Sequence, residues 1–274
     1  MAVITQPAPV DAPETPGASA RLPIPGPWTA LGPVDAPAIV FIHGTRLTRA
    51  QWWPQLRRLS AHYRCIAVDL PGHGALGDEP FTIERAVELV RRAIDAEAPS
   101  GRAVLVGLSL GGYMAIDTAE AYPDRVAGLV LAGCSGEAFG AMATPYRFFR
   151  ALLSRGPGWA QRLVNTTFFR VRYPRRIAGP IVEGGFWPIG GAAALTALIG
   201  RHYLDRLARL WTPVLVINGA LDPVFGPQGE YWAASCRRGE PAVIPLAMHL
   251  SNLDRPTSFA RLVASFTSRT ARGD

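Results

Sequence analysis

Val104-Leu105-Val106-Gly107-Leu108-Ser109-Leu110-Gly111-Gly112-Tyr113 reads as a buried strand, a tight turn and the start of a helix. The turn has the form G-x-S-x-G, centred on Ser109. Such a turn holds its serine in a strained conformation and stands the hydroxyl at the end of the sheet. A side chain at Gly107 or Gly111 would collide across so sharp a corner. Gly112 lets the new helix pack close to the strands. Leu110 opens that helix, and its N–H is expected to point at the oxygen of a substrate attacked by Ser109.

Outward from this turn, continuous apolar runs recur at residues 38–42, 65–70, 126–132 and 214–218. Runs of this kind suit strands buried on both faces. Helical patterns lie between them, at 49–61, 82–98 and 113–122. In the second, Ile83, Ala86, Val87, Val90 and Ile94 share one face, and Thr82 can cap the start. The alternation predicts an α/β fold, a mostly parallel sheet with helices on both sides. A helix near 229–235, a strand at 242–244 and a last helix from 256 to about 266 complete the pattern, with a frayed tail to 274. At the other end, residues 1–20 are Pro/Ala-rich and carry too little apolar bulk to offset their ordering entropy, so a flexible leader is expected. Residues 28–31 suit a short edge strand. Residues 134–211 break the rhythm with short helical patterns at 146–153 and 192–210 and frequent aromatics.

Taken together, these motifs resemble the α/β-hydrolase family. The landmarks are His43-Gly44 after the strand at 38–42, Asp69-Leu70-Pro71-Gly72-His73-Gly74 after the next, the elbow at Ser109, Asp222 and His249. Serine, acid and histidine follow in the family's chain order. The resemblance implies a core over 21–133 and 212–274, with 134–211 as a helical cap over the nucleophile. It implies that Ser109, Asp222 and His249 form a catalytic triad, with the oxyanion hole made by the N–H groups of Thr45 and Leu110. Arg46 is the alternative to Thr45, and Glu137 the alternative acid. The chemistry needs these types, because a serine hydroxyl is a poor nucleophile until an imidazole takes its proton, and a carboxylate must fix that imidazole's tautomer. His43, Asp69 and His73 read as loop braces. His62 and His202 follow no strand. A serine nucleophile argues against the haloalkane dehalogenase and epoxide hydrolase branches, which use a carboxylate.

The expected activity is hydrolysis of a carboxylic ester or related acyl bond, without cofactor or metal. A thioesterase, a lactonase and a carbon–carbon bond hydrolase would share the triad. From another class, a ligand receptor that retains the triad would show little more than one covalent event with a generic ester.

Composition narrows the partners. All 28 basic residues are arginine, which excludes a lysine Schiff base or a P-loop lysine. No nucleic-acid or nucleotide motif occurs, and no apolar run is long enough to span a bilayer. The N-terminus lacks the pattern of a secretory signal, so a cytoplasmic location is expected. Cys65, Cys134 and Cys236 fit no metal spacing and read as small core residues. The net charge is +7. Residues 134–212 hold 11 arginines against Glu137, Glu183 and Asp205, leaving +8 there and −1 elsewhere. A basic cap with interleaved aromatics suits an anionic or amphiphilic small-molecule substrate.

Overall fold

The computed structural model describes residues 26–272, and the leader expected over residues 1–20 lies outside them. Seven strands form one sheet: β1 (Trp28–Leu31), β2 (Ala38–Ile42), β3 (Arg64–Val68), β4 (Ala103–Leu108), β5 (Val126–Ala132), β6 (Val214–Gly219) and β7 (Gly239–Ile244). They lie in the order β1-β3-β2-β4-β5-β6-β7. All neighbours pair parallel except β1, which runs antiparallel to β3 with Trp28 opposite Val68. The elbow strand β4 is therefore central, flanked by β2 and β5. Every residue of β2, β4 and β6 is buried, as two covered faces require.

Alternate residues of each strand feed two cores. Ile39, Phe41, Val104, Val106 and Ile217 face α1 (Trp53–Leu59) and α11 (Pro256–Arg272), packing with Trp52, Leu56, Phe259 and Val263. Val40, Ile42, Leu105, Leu131 and Val216 face α2 (Ile83–Glu97), α3 (Leu110–Ala121) and α9 (Gly229–Ser235). Thr82 caps α2 as expected, accepting the Arg85 N–H at 3.1 Å. The last helix does not fray after 266 but continues to Arg272. Buried Phe266 and Thr267 hold it down, and Arg269 pairs with Glu240 at the end of the sheet.

Between β5 and β6 the chain makes five helices: α4 (Thr144–Leu153), α5 (Gly158–Arg172), α6 (Arg175–Gly184), α7 (Pro188–Leu198) and α8 (Tyr203–Arg209). The helical pattern read over 192–210 is two helices, broken at Ile199–His202. The last two join the main core through Leu195, Leu198, Tyr203 and Leu207. Phe169 of α5, Tyr173 just beyond it, and Ile177 and Ile181 of α6 build a separate cluster with Leu47 and Leu253. A short α10 (Ser251–Asp254) precedes α11. No single helix among the described residues is long and apolar enough to cross a membrane.

Charge is shared across this insertion. Arg201 and Arg206 pair with Asp117 of α3, Arg206 and Arg209 with Glu120, and Arg172 with Asp254. Four of the 11 arginines are thus balanced by acids outside their own segment. Arg150, Arg155, Arg162, Arg170, Arg175 and Arg176 have no ion pair among the described residues and remain a basic surface.

Candidate active site

The elbow has the strained geometry its sequence implies. Ser109 has φ 54° and ψ −118°, a positive φ that non-glycine residues rarely adopt. The corner closes on itself: a Cβ at Gly107 would sit 2.2 Å from the Gly111 carbonyl oxygen. One at Gly111 would sit 2.0 Å from that of Ile42. Both obstacles are backbone and cannot rotate away. Gly111→Ala is therefore expected to cost about 3 kcal/mol or more, as overpacking against a fixed neighbour does, read as a lower denaturant midpoint. An unchanged midpoint would mean that the corner can open.

Ser109 is held beside the next strand by its own N–H, which donates to the Ala132 carbonyl at 2.8 Å. The chain then turns at Gly133 (φ 54°), and a Cβ there would lie 3.0 Å from His249 Nδ1. The ends of β4 and β5 thus bring the Ser109 turn and the His249 ring to one edge of the sheet. His249 Nδ1 donates to Asp222 Oδ2 at 3.0 Å, and the ring stacks on Phe225, centroids 5.1 Å apart. Asp222 Oδ1 accepts the N–H groups of Val224 at 3.0 Å and Phe225 at 3.2 Å. Burial pushes the Asp222 carboxyl up, but the His249 ring and these N–H groups outweigh it and hold the acid below its ordinary value of 3.8. The two loops are tied together, Ala220 N–H to Ile244 at 3.0 Å and Leu221 N–H to Ala247 at 2.8 Å.

Glu137 is elsewhere engaged. Its carboxylate accepts the N–H groups of Tyr203 at 3.2 Å and Leu204 at 2.6 Å, capping α8. His202 stacks on Phe139, centroids 3.8 Å apart.

The loop after β2 lies across the elbow. Leu110 is the first residue of α3, so its N–H has no acceptor within the helix. Thr45 is buried one residue beyond Gly44, whose Cβ would touch the Leu108 carbonyl at 3.4 Å. Gly191 of α7 packs near both Thr45 and Arg46: a Cβ there would lie 2.9 Å from Thr45 Cγ2 and 3.1 Å from the Arg46 nitrogen. His43 accepts the Leu70 N–H on Nε2 at 3.0 Å, so its Nδ1 carries the proton given to Gly44 at 2.9 Å. Burial, partly opposed by that bond to Gly44, lowers His43 to about 4. Asp69 accepts the N–H groups of Arg49 at 2.7 Å and Ala75 at 3.0 Å. These contacts brace loops.

A buried polar network escaped the sequence reading. Gly44 N–H donates to Gln51 Oε1 at 2.8 Å. Gln51 Nε2 lies 3.4 Å from Asn252 Oδ1, and Gln55 Nε2 donates to the Asn252 carbonyl at 2.8 Å. All three side chains are fully buried. They join the loop before Thr45 to the segment three residues beyond His249. On sequence alone, glutamines in a helix read as a wet face. Gln51→Leu strands the buried Gly44 N–H and should cost about 1–3 kcal/mol of stability by denaturant titration. A loss below that range would mean that water replaces the acceptor.

A surface cleft of about 570 Å³, lined by Arg102, Glu120, Arg209 and Trp211, lies at the opposite ends of β4, β5 and β6, away from Ser109. Ligands of open α/β sheets bind at the carboxyl ends of the strands, where Ser109, Asp222 and His249 lie.

The model of the alpha/beta hydrolase family matches residues 39–262. A pimeloyl-acyl-carrier-protein methyl ester esterase of Neisseria meningitidis is 28% identical over 246 residues, covering 83% of this chain and 92% of the relative. The 3-oxoadipate enol-lactonase 1 of Acinetobacter baylyi is 28% identical over 247 residues, covering 86% and 90%. The solved structure of a thermophilic esterase from Thermogutta terrifontis, with malate bound, superposes with a TM-score of 0.72 at 25% identity, covering 89% of this chain and 93% of that one.

Proposed function

This chain belongs to the alpha/beta hydrolase family, and from that premise we propose that it is a serine hydrolase cleaving carboxylic esters through an acyl-enzyme. Ser109 Oγ attacks the ester carbonyl, and His249 Nε2 takes its proton. The Thr45 and Leu110 N–H groups hold the oxygen that becomes negative. His249 then gives the proton to the leaving alcohol. Water, deprotonated by the same ring, releases the acid and restores Ser109. Asp222 keeps the Nδ1 proton in place, so Nε2 is the free base.

The observation that carries this reading is the 3.0 Å bond from His249 Nδ1 to Asp222, set beside the strained serine at the end of β4. A cyclic ester is the second reading, favoured by the enol-lactonase among the relatives. The same groups would open a lactone, with the leaving alcohol retained on the acyl chain. We take residues 134–211 as a cap that shapes the substrate, and the basic surface left on it as suited to anionic or amphiphilic esters. Three free, buried cysteines suit a reducing compartment such as the cytoplasm.

The test is labelling by a fluorophosphonate, with turnover of p-nitrophenyl esters of increasing acyl length. One label per chain and steady turnover support the reading. A single covalent event without turnover would instead indicate a receptor.

A further inference from the structure

Arg46 is an anomaly beside the proposed oxyanion donor. It is a non-glycine residue at φ 61°, and its backbone is clamped from above. Its carbonyl accepts the Trp187 N–H at 2.9 Å, and Gly191 of α7 lies close enough that a Cβ there would come within 3.1 Å of the Arg46 nitrogen. The direction of the side chain is thereby imposed. The guanidinium lies over the Phe149 ring of α4, 5.2 Å from its centroid. Its Nε is sealed from solvent and has no hydrogen-bond partner.

The contrast with other arginines is informative. Arg201, Arg206, Arg209 and Arg172 each find a carboxylate. The Arg46 guanidinium has neither ion pair nor hydrogen bond among the described residues. Burial lowers it to about 10, which still leaves it charged at neutral pH. A half-buried cation without a counter-charge is only partly hydrated, and a ring face supplies only part of what water gave. The planar fork of N–H groups matches a carboxylate, and with one face on Phe149 its edge remains for a ligand.

We propose that Arg46 is a carboxylate-binding subsite: the substrate carries a free carboxylate a few bonds from the ester carbonyl, and the Arg46 guanidinium holds it. The position follows from the chain. Arg46 is one residue beyond Thr45, so its side chain is rooted close enough to reach a carboxylate a few bonds from a carbonyl oxygen on the Thr45 N–H. The inference rests on the Ser109 reading above and adds the substrate class. The carboxylate could sit on the acyl or on the alcohol side of the ester, and both are tested.

The experiment compares kcat/KM for monomethyl glutarate with dimethyl glutarate, and for carboxymethyl acetate with ethyl acetate. The proteins are the unaltered chain, Arg46→Lys and Arg46→Met. It is run in 0.5 M salt, above physiological ionic strength, where the Debye length falls well below about 8 Å and steering by surface arginines is suppressed. In the unaltered chain, one anionic ester should be preferred over its neutral counterpart, and which one assigns the side. Arg46→Met should cut that preference on the order of 10- to 100-fold, the range for a hydrogen bond to a charged group, mostly in KM. Arg46→Lys should recover part of it, having the charge without the fork.

A second arm does not need catalysis. Calorimetry on Ser109→Ala should show the preferred anionic ester bound, and the added Arg46→Met change should weaken that binding by a similar factor. If the unaltered chain takes no label and turns over no ester while this arm still reads Arg46, the serine reading fails and the subsite stands. If Arg46→Met changes neither the preference nor the binding, Arg46 only packs the insertion against Phe149 and the proposal is overturned.

Discussion

Replacing Ser109 with alanine is expected to remove ester hydrolysis, by on the order of 10⁵- to 10⁶-fold in kcat, the scale seen when a triad serine is deleted. Fluorophosphonate labelling should vanish with it. The fold should survive, because Ser109 enters the structure through its backbone, donating to Ala132 and accepting from Gly112. A glycine variant separates catalysis from strain. Both substitutions delete the nucleophile, but only glycine is at ease at φ 54°. Backbone strain of this kind is worth about 1–3 kcal/mol, against up to about 1 kcal/mol that glycine loses to chain entropy. Ser109→Gly should therefore melt above Ser109→Ala while being equally inactive. Persisting label in either variant would move the nucleophile elsewhere. Equal melting temperatures would mean that the turn stores no strain.

Asp222→Asn should lower kcat by about 10⁴-fold, as neutralising a triad carboxylate does elsewhere. The amide oxygen can still accept from Val224 and Phe225. Its NH₂ group would then face His249 Nδ1, which favours the tautomer whose proton sits on Nε2, the atom that must accept. The substitution should also alter stability with pH. A carboxyl held below 3.8 in the folded chain stabilises the fold above that value and loses the contribution as pH falls through its lower, folded value. The gap in melting temperature between the unaltered chain and Asp222→Asn should be present at pH 7 and narrow below about pH 4. Glu137→Gln should instead lose stability through the α8 cap, with far less effect on turnover. If the two effects on kcat were exchanged, the acid would be Glu137.

How much of this was legible in the sequence varied with physical cause. The sheet was readable because strands covered on both faces must be apolar throughout, as 38–42 and 126–132 are. The elbow was readable because its glycines are forced by backbone contacts at 2.2 and 2.0 Å. The α5 and α6 helices were not. On α5, Trp159, Leu163, Val164, Phe168 and Val171 are exposed, so its apolar residues mark no core face. Pro180 inside α6 reads as a breaker, yet is tolerated there. The run after Phe266 is polar and gives no periodic signal, and Glu240 of β7 helps to keep it helical. Summing charge by segment hid the pairing of Arg201 and Arg206 with Asp117, because ion pairs ignore chain order. Gln51 and Asn252 were missed for the same reason: their partner is 201 residues away.

One consequence follows from where the five helices are inserted. β5 and β6 are hydrogen-bonded neighbours, Leu129 against Val214, yet residues 133–213 intervene between them. Their pairing must close that excursion, and closure entropy grows only with the logarithm of its length. Doubling the insertion would add about 0.6 kcal/mol, and shortening it would return as little. The sheet and the Ser109 turn are thus nearly indifferent to the size of what hangs between these strands. Residues between these strands can be exchanged wholesale at small thermodynamic cost, while Ser109, Asp222 and His249 stay fixed at the ends of β4, β6 and β7.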